Sequence, residues 1–179
     1  MSINDNGIME ALKENPQNGF RMLMAKYQEN VYWHIRRLVV SHDDAQDASQ
    51  ETFVRIYRSF GNYRGDCSLR SWIYRIATNE ALRIISKRRQ EVVSIESETT
   101  GVNLIQGDNY IDFDDKVAVK LQKAILLLPP KQQLAFNLRY YEELGFDEIA
   151  KIADSTPTSI KASYHVAKEK IIKYMNSND

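Results

Sequence analysis

The stretch "FGNYRGDCSLRSWIYRIATNEALRIISKRR", Phe60 to Arg89, decides how this chain folds. Gly61 and Gly65 bracket a loop. From Leu69 onward the residues Leu69, Trp72, Ile73, Ile76, Ala77 and Ile84 return every three or four positions, which is one apolar face of an α-helix reaching to about Arg89. Opposite that face Arg75, Asn79, Arg83 and Lys87 recur every fourth residue and fall on one slowly drifting stripe. Such a stripe can follow a phosphate backbone and offer an amide to a base. Tyr57, Phe60, Tyr63, Trp72 and Tyr74 stand among these bases, and aromatics so placed suit unstacked nucleotides better than closed duplex. Tyr57 and Trp72 read as core packing, while Tyr63 and Tyr74, further from the apolar face, read as stacking candidates.

Charge is segregated along the chain. From Arg55 to Arg89 there are nine bases against two acids, and from Glu91 to Asp115 seven acids and no base. The formal net charge of zero is therefore an average over blocks of opposite sign, and a basic block is the electrostatic footprint of nucleic-acid binding.

On either side of the opening stretch the pattern stays helical. Phe20, Leu23, Met24, Tyr27, Val31, Ile35 and Leu38 follow helical spacing behind an Asn15-Pro16 start, and Asp43 to Phe60 forms a second helix that opens on acids. Residues 92–115 lack any period, carry Gly101 and Gly107, and are rich in Ser, Thr, Asn and Asp, the composition of a linker. Downstream, Lys116 to Leu127 is helical up to Pro129-Pro130, and Pro130 opens a helix to about Tyr141. Asp147 to Ala153 is a short helix, and Thr156-Pro157 caps a last one reaching about Met175. The expected fold is all-α: two helical domains, residues 1–91 and 116–179, joined by a flexible acidic linker at 92–115.

The last two helices have the form of a helix-turn-helix. Glu148-Ile149-Ala150 lies in the first, Ala153-Asp154-Ser155 makes the tight turn, and Ile160, Tyr164, Ala167 and Ile171 are the buried stripe of the second. Thr158, Ser159, Lys161, Ala162 and His165 then lie on the outward side, where the first half of a recognition helix meets base edges. An ordinary helical hairpin is the other reading of the same pattern.

The remaining composition is exclusionary. At 179 residues and 43% hydrophobic content the chain can bury one or two modest cores. The single Cys67 excludes an internal disulfide, and three scattered histidines give no zinc-ligand spacing, so no metal and no cofactor are expected. There is no glycine-rich phosphate loop, no paired metal carboxylates and no nucleophile arrangement, so no catalytic residue and no small-molecule substrate are expected. No run approaches a membrane span of about 20 apolar residues, and Met1 to Phe20 lacks a signal sequence, so a cytoplasmic protein is expected.

"DDAQDASQETFVRIY" (Asp43 to Tyr57), the Phe60 to Arg89 stretch, and "LLLPPKQQLAFNLRYYEELGFDEIAKIADSTPTSIKASYHVAKEKI" resemble regions two and four of the extracytoplasmic-function sigma factors of bacterial RNA polymerase. The resemblance runs from about Gly19 to Met175, the linker excepted. It implies a promoter-specificity subunit, an alternative sigma factor, and not an enzyme. By similarity, Asp44, Asp47, Gln50 and Glu51 grip the coiled coil of the largest polymerase subunit. The Gly61 to Leu69 loop and the next helix, with Tyr63, Arg70, Tyr74, Arg75, Asn79, Arg83 and Lys87, melt and capture the minus-ten element. Thr158, Ser159, Lys161 and His165 read the minus-thirty-five element in duplex. Leu126, Leu128 and Phe136 belong to the body of region four, near the flap of the second-largest subunit. Implied partners are core RNA polymerase, promoter DNA and an anti-sigma factor.

The sequence departs from that family in three places. Ala48-Ser49 stands where Leu-Val is frequent and leaves the buried side of its helix thin. Ser163 and Val166 replace usual arginines, and Gly145 replaces a frequent capping Ser. The competing reading is a polymerase-independent helix-turn-helix regulator, which needs a dimer interface. Nothing between Asp43 and Tyr57 reads as an apolar dimer face.

Overall fold

Most helices of the computed structural model begin where a side chain satisfies an open amide. The structure describes residues 3–92 and 115–178. Asn4 caps α1 (Asp5–Glu14), its Oδ1 accepting from the Gly7 amide at 2.7 Å, and Asn15 with Pro16 starts α2 (Pro16–Val39). Ser41 caps α3 (His42–Ser59), and a short turn of 3₁₀ helix at Phe60–Asn62 leads to α4 (Leu69–Val92). The Asp115 carboxylate accepts from the Val117 and Ala118 amides, at 3.0 Å each, to open α5 (Lys116–Leu126). Then follow α6 (Pro130–Tyr140), α7 (Phe146–Ile152) and α8 (Pro157–Asn176), the last capped by Thr156.

The fold is all-α, with no strand among the described residues. The interior of the expected linker, 93–114, falls outside them, and with it the expectation of a flexible acidic tether. The reading from residues alone leaves out α1, although Ile8, Met9 and Leu12 recur in it at helical spacing. It docks on α2 through Asp5, which accepts from Lys26 Nζ and Tyr27 Oη, both at 2.7 Å. Ile8 and Leu12 bury its inner face. Gly19 is needed at the crossing, because a Cβ there would sit 2.4 Å from the Leu12 amide nitrogen.

Leu23, Tyr27, Val31 and Ile35 of α2 pack with Ala45, Ala48, Phe53 and Ile56 of α3 and with Leu69, Ile73, Ala77 and Ala81 of α4. Each fully buried Leu, Val or Ile among them contributes roughly 1.5–3 kcal/mol, and each alanine less. The same apolar cluster continues into Leu134, Leu138, Leu144, Ile149, Ile152 and Ile160 of the second unit, because α7 packs on α4 and α6 on α2. A separate small core of Ala124, Ile125, Leu128, Phe136, Ala167 and Ile171 holds α5, α6 and α8 together. The α2–α3 corner is strained: Val40, a β-branched residue, sits at φ 67°. Arg88 secures that corner, donating to the Val39 carbonyl at 3.1 Å and pairing with Asp44.

Candidate nucleic-acid interface

The stripe on α4 forms as its spacing predicts. Arg75, Asn79, Arg83 and Lys87 are exposed, and the face opposite them carries the core residues Ile73, Ala77 and Ala81. Beneath the stripe lies an acid that the sequence reading passes over. Glu80 is buried and pairs with Arg55 Nε at 2.5 Å and with Arg83 Nε and Nη2 at 3.1 and 3.0 Å. A two-pronged contact fixes the direction of a guanidinium, so Arg83 is held beside Asn79. Asn79 in turn lines a polar recess of about 440 Å³ with Arg55, Arg58, Asn62 and Glu80.

Tyr63 is half-buried in the loop before α4. Its hydroxyl donates to the Cys67 carbonyl at 2.5 Å and its ring lies 5.2 Å from that of Trp72. The two remaining aromatic expectations are reversed. Tyr74 is not clear of the apolar face but 1% exposed, its hydroxyl donating to Glu142 Oε2 at 2.5 Å. Burial, and then the Glu142 charge, push the Tyr74 phenol well above its ordinary pKa. Tyr57 is not core but 53% exposed, edge-on to Phe20 at 5.2 Å. Helical spacing names both wrongly because Tyr74 is covered by His34 of α2 and by Glu142 of the second unit, whereas Tyr57 is met on one side by Phe20 and is otherwise open.

Arg70 is likewise occupied, donating from Nη2 to the Glu142 carbonyl at 2.6 Å. Behind it His34 is fully buried, its Nε2 2.8 Å from Thr78 Oγ1 and its ring edge-on to Tyr74 at 5.1 Å. Burial, with the nearby Arg37 charge, lowers the His34 pKa to about 3, so the ring is neutral at ordinary pH.

On α3 the acidic face is open at Asp47 and Gln50, while Glu51 is half-buried and pairs with Arg55 at 3.2 Å. Asp44 is bound up with Arg88. Beside this face runs a groove of about 1020 Å³ lined by Phe20, Met24, Phe53, Val54 and Tyr57. Of the small pair on α3, Ser49 lines the groove and Ala48 is buried in the core. Val54 and Tyr57 are the exposed apolar side chains of α3 beside the groove.

The helix-turn-helix geometry follows from the turn. Asp154 adopts φ 51°, and the Ser155 amide donates to the Ala150 carbonyl at 2.9 Å, which closes α7 and turns the chain into α8. Ile160, Ala167 and Ile171 are buried and Tyr164 partly so, leaving Thr158, Lys161, Ala162 and His165 exposed. Ser159 is half-buried, its hydroxyl accepting from Lys131 Nζ at 2.6 Å. No cluster of metal-ligating side chains occurs among the described residues.

These two units are the ones that family comparison picks out. The sequence matches the families described as Sigma-70 region 2, over residues 23–91, and Sigma-70, region 4, over residues 118–171, together more than half of the chain. It is 28% identical to the RNA polymerase sigma-H factor of Pseudomonas aeruginosa, over 94% of this chain and 92% of that one. To the ECF RNA polymerase sigma-E factor of Escherichia coli it is 28% identical, over 94% and 93% of the two chains. The chain belongs to the extracytoplasmic-function sigma factors. As an alternative sigma factor it directs transcription initiation, binding core RNA polymerase and promoter elements, and sigma factors are initiation factors rather than enzymes. The independent helix-turn-helix regulator is not favoured. Two solved structures share the fold of this sigma factor. They are the sigma factor RpoE in complex with the anti-sigma factor NepR from Bartonella quintana (20% identity, TM-score 0.72, 89% of this chain and 98% of that one) and CnrH in complex with the cytosolic domain of CnrY (15% identity, TM-score 0.73, 98% and 99%).

Proposed function

We propose a division of labour in which α3 binds core polymerase, α4 and its preceding loop capture the minus-ten element, and α8 reads the minus-thirty-five element. The observation that carries this reading is the exposed stripe Arg75, Asn79, Arg83 and Lys87, set beside a polar recess and an aromatic loop. Basic residues hold phosphates at any sequence, whereas an amide beside a recess can discriminate a base that has left the stack. Asn79 is the base-reading residue of the stripe and its cations follow the backbone. Tyr63 offers a ring face once the loop opens, and Arg70 and Tyr74 join this surface only when Glu142 withdraws.

The domain limits are 1–91 and 116–179, with 92–115 between them. On α3, Asp47 and Gln50 present acceptors outward, and Glu51 and Asp44 reach the partner by exchanging their present arginines. On α8, Thr158, Ser159 and His165 face base edges and Lys161 a phosphate. With Ser163 and Val166 in place of basic residues, phosphate grip on this helix rests on few cations. One structure of the same fold is a complex with an anti-sigma factor, and an anti-sigma factor is proposed as partner here too. No described helix is long and apolar enough to cross a membrane, in keeping with a cytoplasmic site of action beside polymerase.

The test is the Asp47→Lys, Glu51→Lys double variant in a pull-down with core polymerase. Reversal of two charges one turn apart turns attraction into repulsion at the rim of an interface. Loss of core binding with unchanged helicity supports the assignment. Wild-type binding refutes it.

A further inference from the structure

The arrangement of the two units cannot serve both promoter elements at once. Elements at minus ten and minus thirty-five lie about 25 base pairs apart, about 85 Å at 3.4 Å per step. A compact chain of this length has a radius of gyration of about 16 Å and is about 40 Å across. The units must part before both elements can be held.

Beside the apolar cluster that the two units share, the polar contacts that hold them together gather on one residue. Glu142, 9% exposed, receives the Tyr74 hydroxyl at 2.5 Å, pairs with Arg37 Nη1 at 3.2 Å and lies 3.8 Å from Arg70 Nη2. Its carbonyl accepts from Arg70 as well, and the Arg37 guanidinium sits 4.0 Å over the Tyr141 ring. So one carboxylate of the second unit gathers two cations and a phenol from α2 and α4 of the first.

The interface also contains its own opposition. Gln133, Asn137 and Tyr141 follow one another at four-residue intervals along a single face of α6 and its end. Gln133 and Tyr141 both meet Arg37, which places Asn137 at the same seam. The Asn137 side chain is 1% exposed, and neither its Oδ1 nor its Nδ2 has a hydrogen-bond partner. A buried amide without partners disfavours the closed arrangement and regains water when the seam opens.

We propose that Glu142 is the hub of a reversible autoinhibitory clasp, which withholds Arg70 and Tyr74 from DNA and is kept openable by the unpaired Asn137. This rests on the reading of the two units as a bipartite promoter reader. Loss of the hub releases the units, and removal of the Asn137 amide tightens them.

Small-angle X-ray scattering of the full chain and the rate of association with core polymerase test the clasp on Glu142→Ala, Arg37→Met and Asn137→Leu, with circular dichroism as the check on folding. Glu142→Ala and Arg37→Met are expected to have a larger radius of gyration than wild type. If about one molecule in ten is open in wild type, they associate with core up to about tenfold faster, since the rate follows the competent fraction. Asn137→Leu stays compact and associates more slowly than wild type. Equal radii in all four proteins overturn the clasp, and so does expansion with an unchanged association rate. Failure of every protein to bind core overturns the sigma reading and the clasp's role with it.

Discussion

Acid should weaken this fold through one histidine. His34 is buried against Tyr74 and Thr78, and its pKa falls from 6.5 to about 3. Between those values the unfolded chain binds a proton that the folded chain refuses. Stability from this group is therefore complete above about pH 6.5 and is lost as pH falls toward 3. With an unfolded pKa of about 6.5, the loss between pH 7 and pH 5 is about 2 kcal/mol, a large part of a typical stability of about 5–15 kcal/mol. Urea unfolding followed by circular dichroism at pH 7, 6 and 5 measures it, with His34→Gln as the reference that keeps a hydrogen-bonding amide and cannot titrate. Wild type should lose about 2 kcal/mol more than His34→Gln over the interval. Parallel losses in the two proteins would show that His34 is not a buried neutral ring, and the packing of α2 on α4 around it would be wrong.

Three further outcomes follow from single residues. Gly19→Ala drives a Cβ into the Leu12 backbone of α1 and should cost about 1–3 kcal/mol, read as a lower thermal midpoint; an unchanged midpoint refutes the tight crossing of α1 and α2. Asn79→Ala should slow open-complex formation on duplex promoter much more than on a template already unpaired at the minus-ten element, because capture of a flipped base offsets an unpairing cost of a few kcal/mol. Equal losses would make Asn79 a residue of the fold alone. Lys161→Ala should lower the salt slope of promoter binding by about one unit across all sequences tested, and an unchanged slope removes Lys161 from the phosphate contacts.

The helices, the helix-turn-helix and the exposed stripe on α4 were legible because each is a local pattern. Apolar spacing, a capping residue or a proline sets them within a few residues. The buried stripe Ile160, Ala167 and Ile171 and the turn at Asp154 are examples. Interactions over long separations were not legible. Nothing in the run "YYEELGF" marks Glu142 as the partner of residues 72 and 105 positions away, and nothing near Tyr74 says that another unit will cover it. The groove beside α3 was not legible either, because its lining comes from α2 and α3 together and of the small pair Ala48-Ser49 only Ser49 reaches it. α1 was legible in the spacing of Ile8, Met9 and Leu12 and was passed over because it is only ten residues long, while its docking depends on the absent side chain of Gly19.

The central claim is that one chain engages DNA at two places, and only as part of polymerase. Footprinting on a linear promoter, with permanganate to detect unpaired thymines, tests it most directly. Sigma factor and core polymerase together should protect the minus-thirty-five element and unpair the minus-ten element, while the free protein at the same concentration leaves both unchanged. The same protection by the free protein, or protection with core but no unpairing, would contradict it.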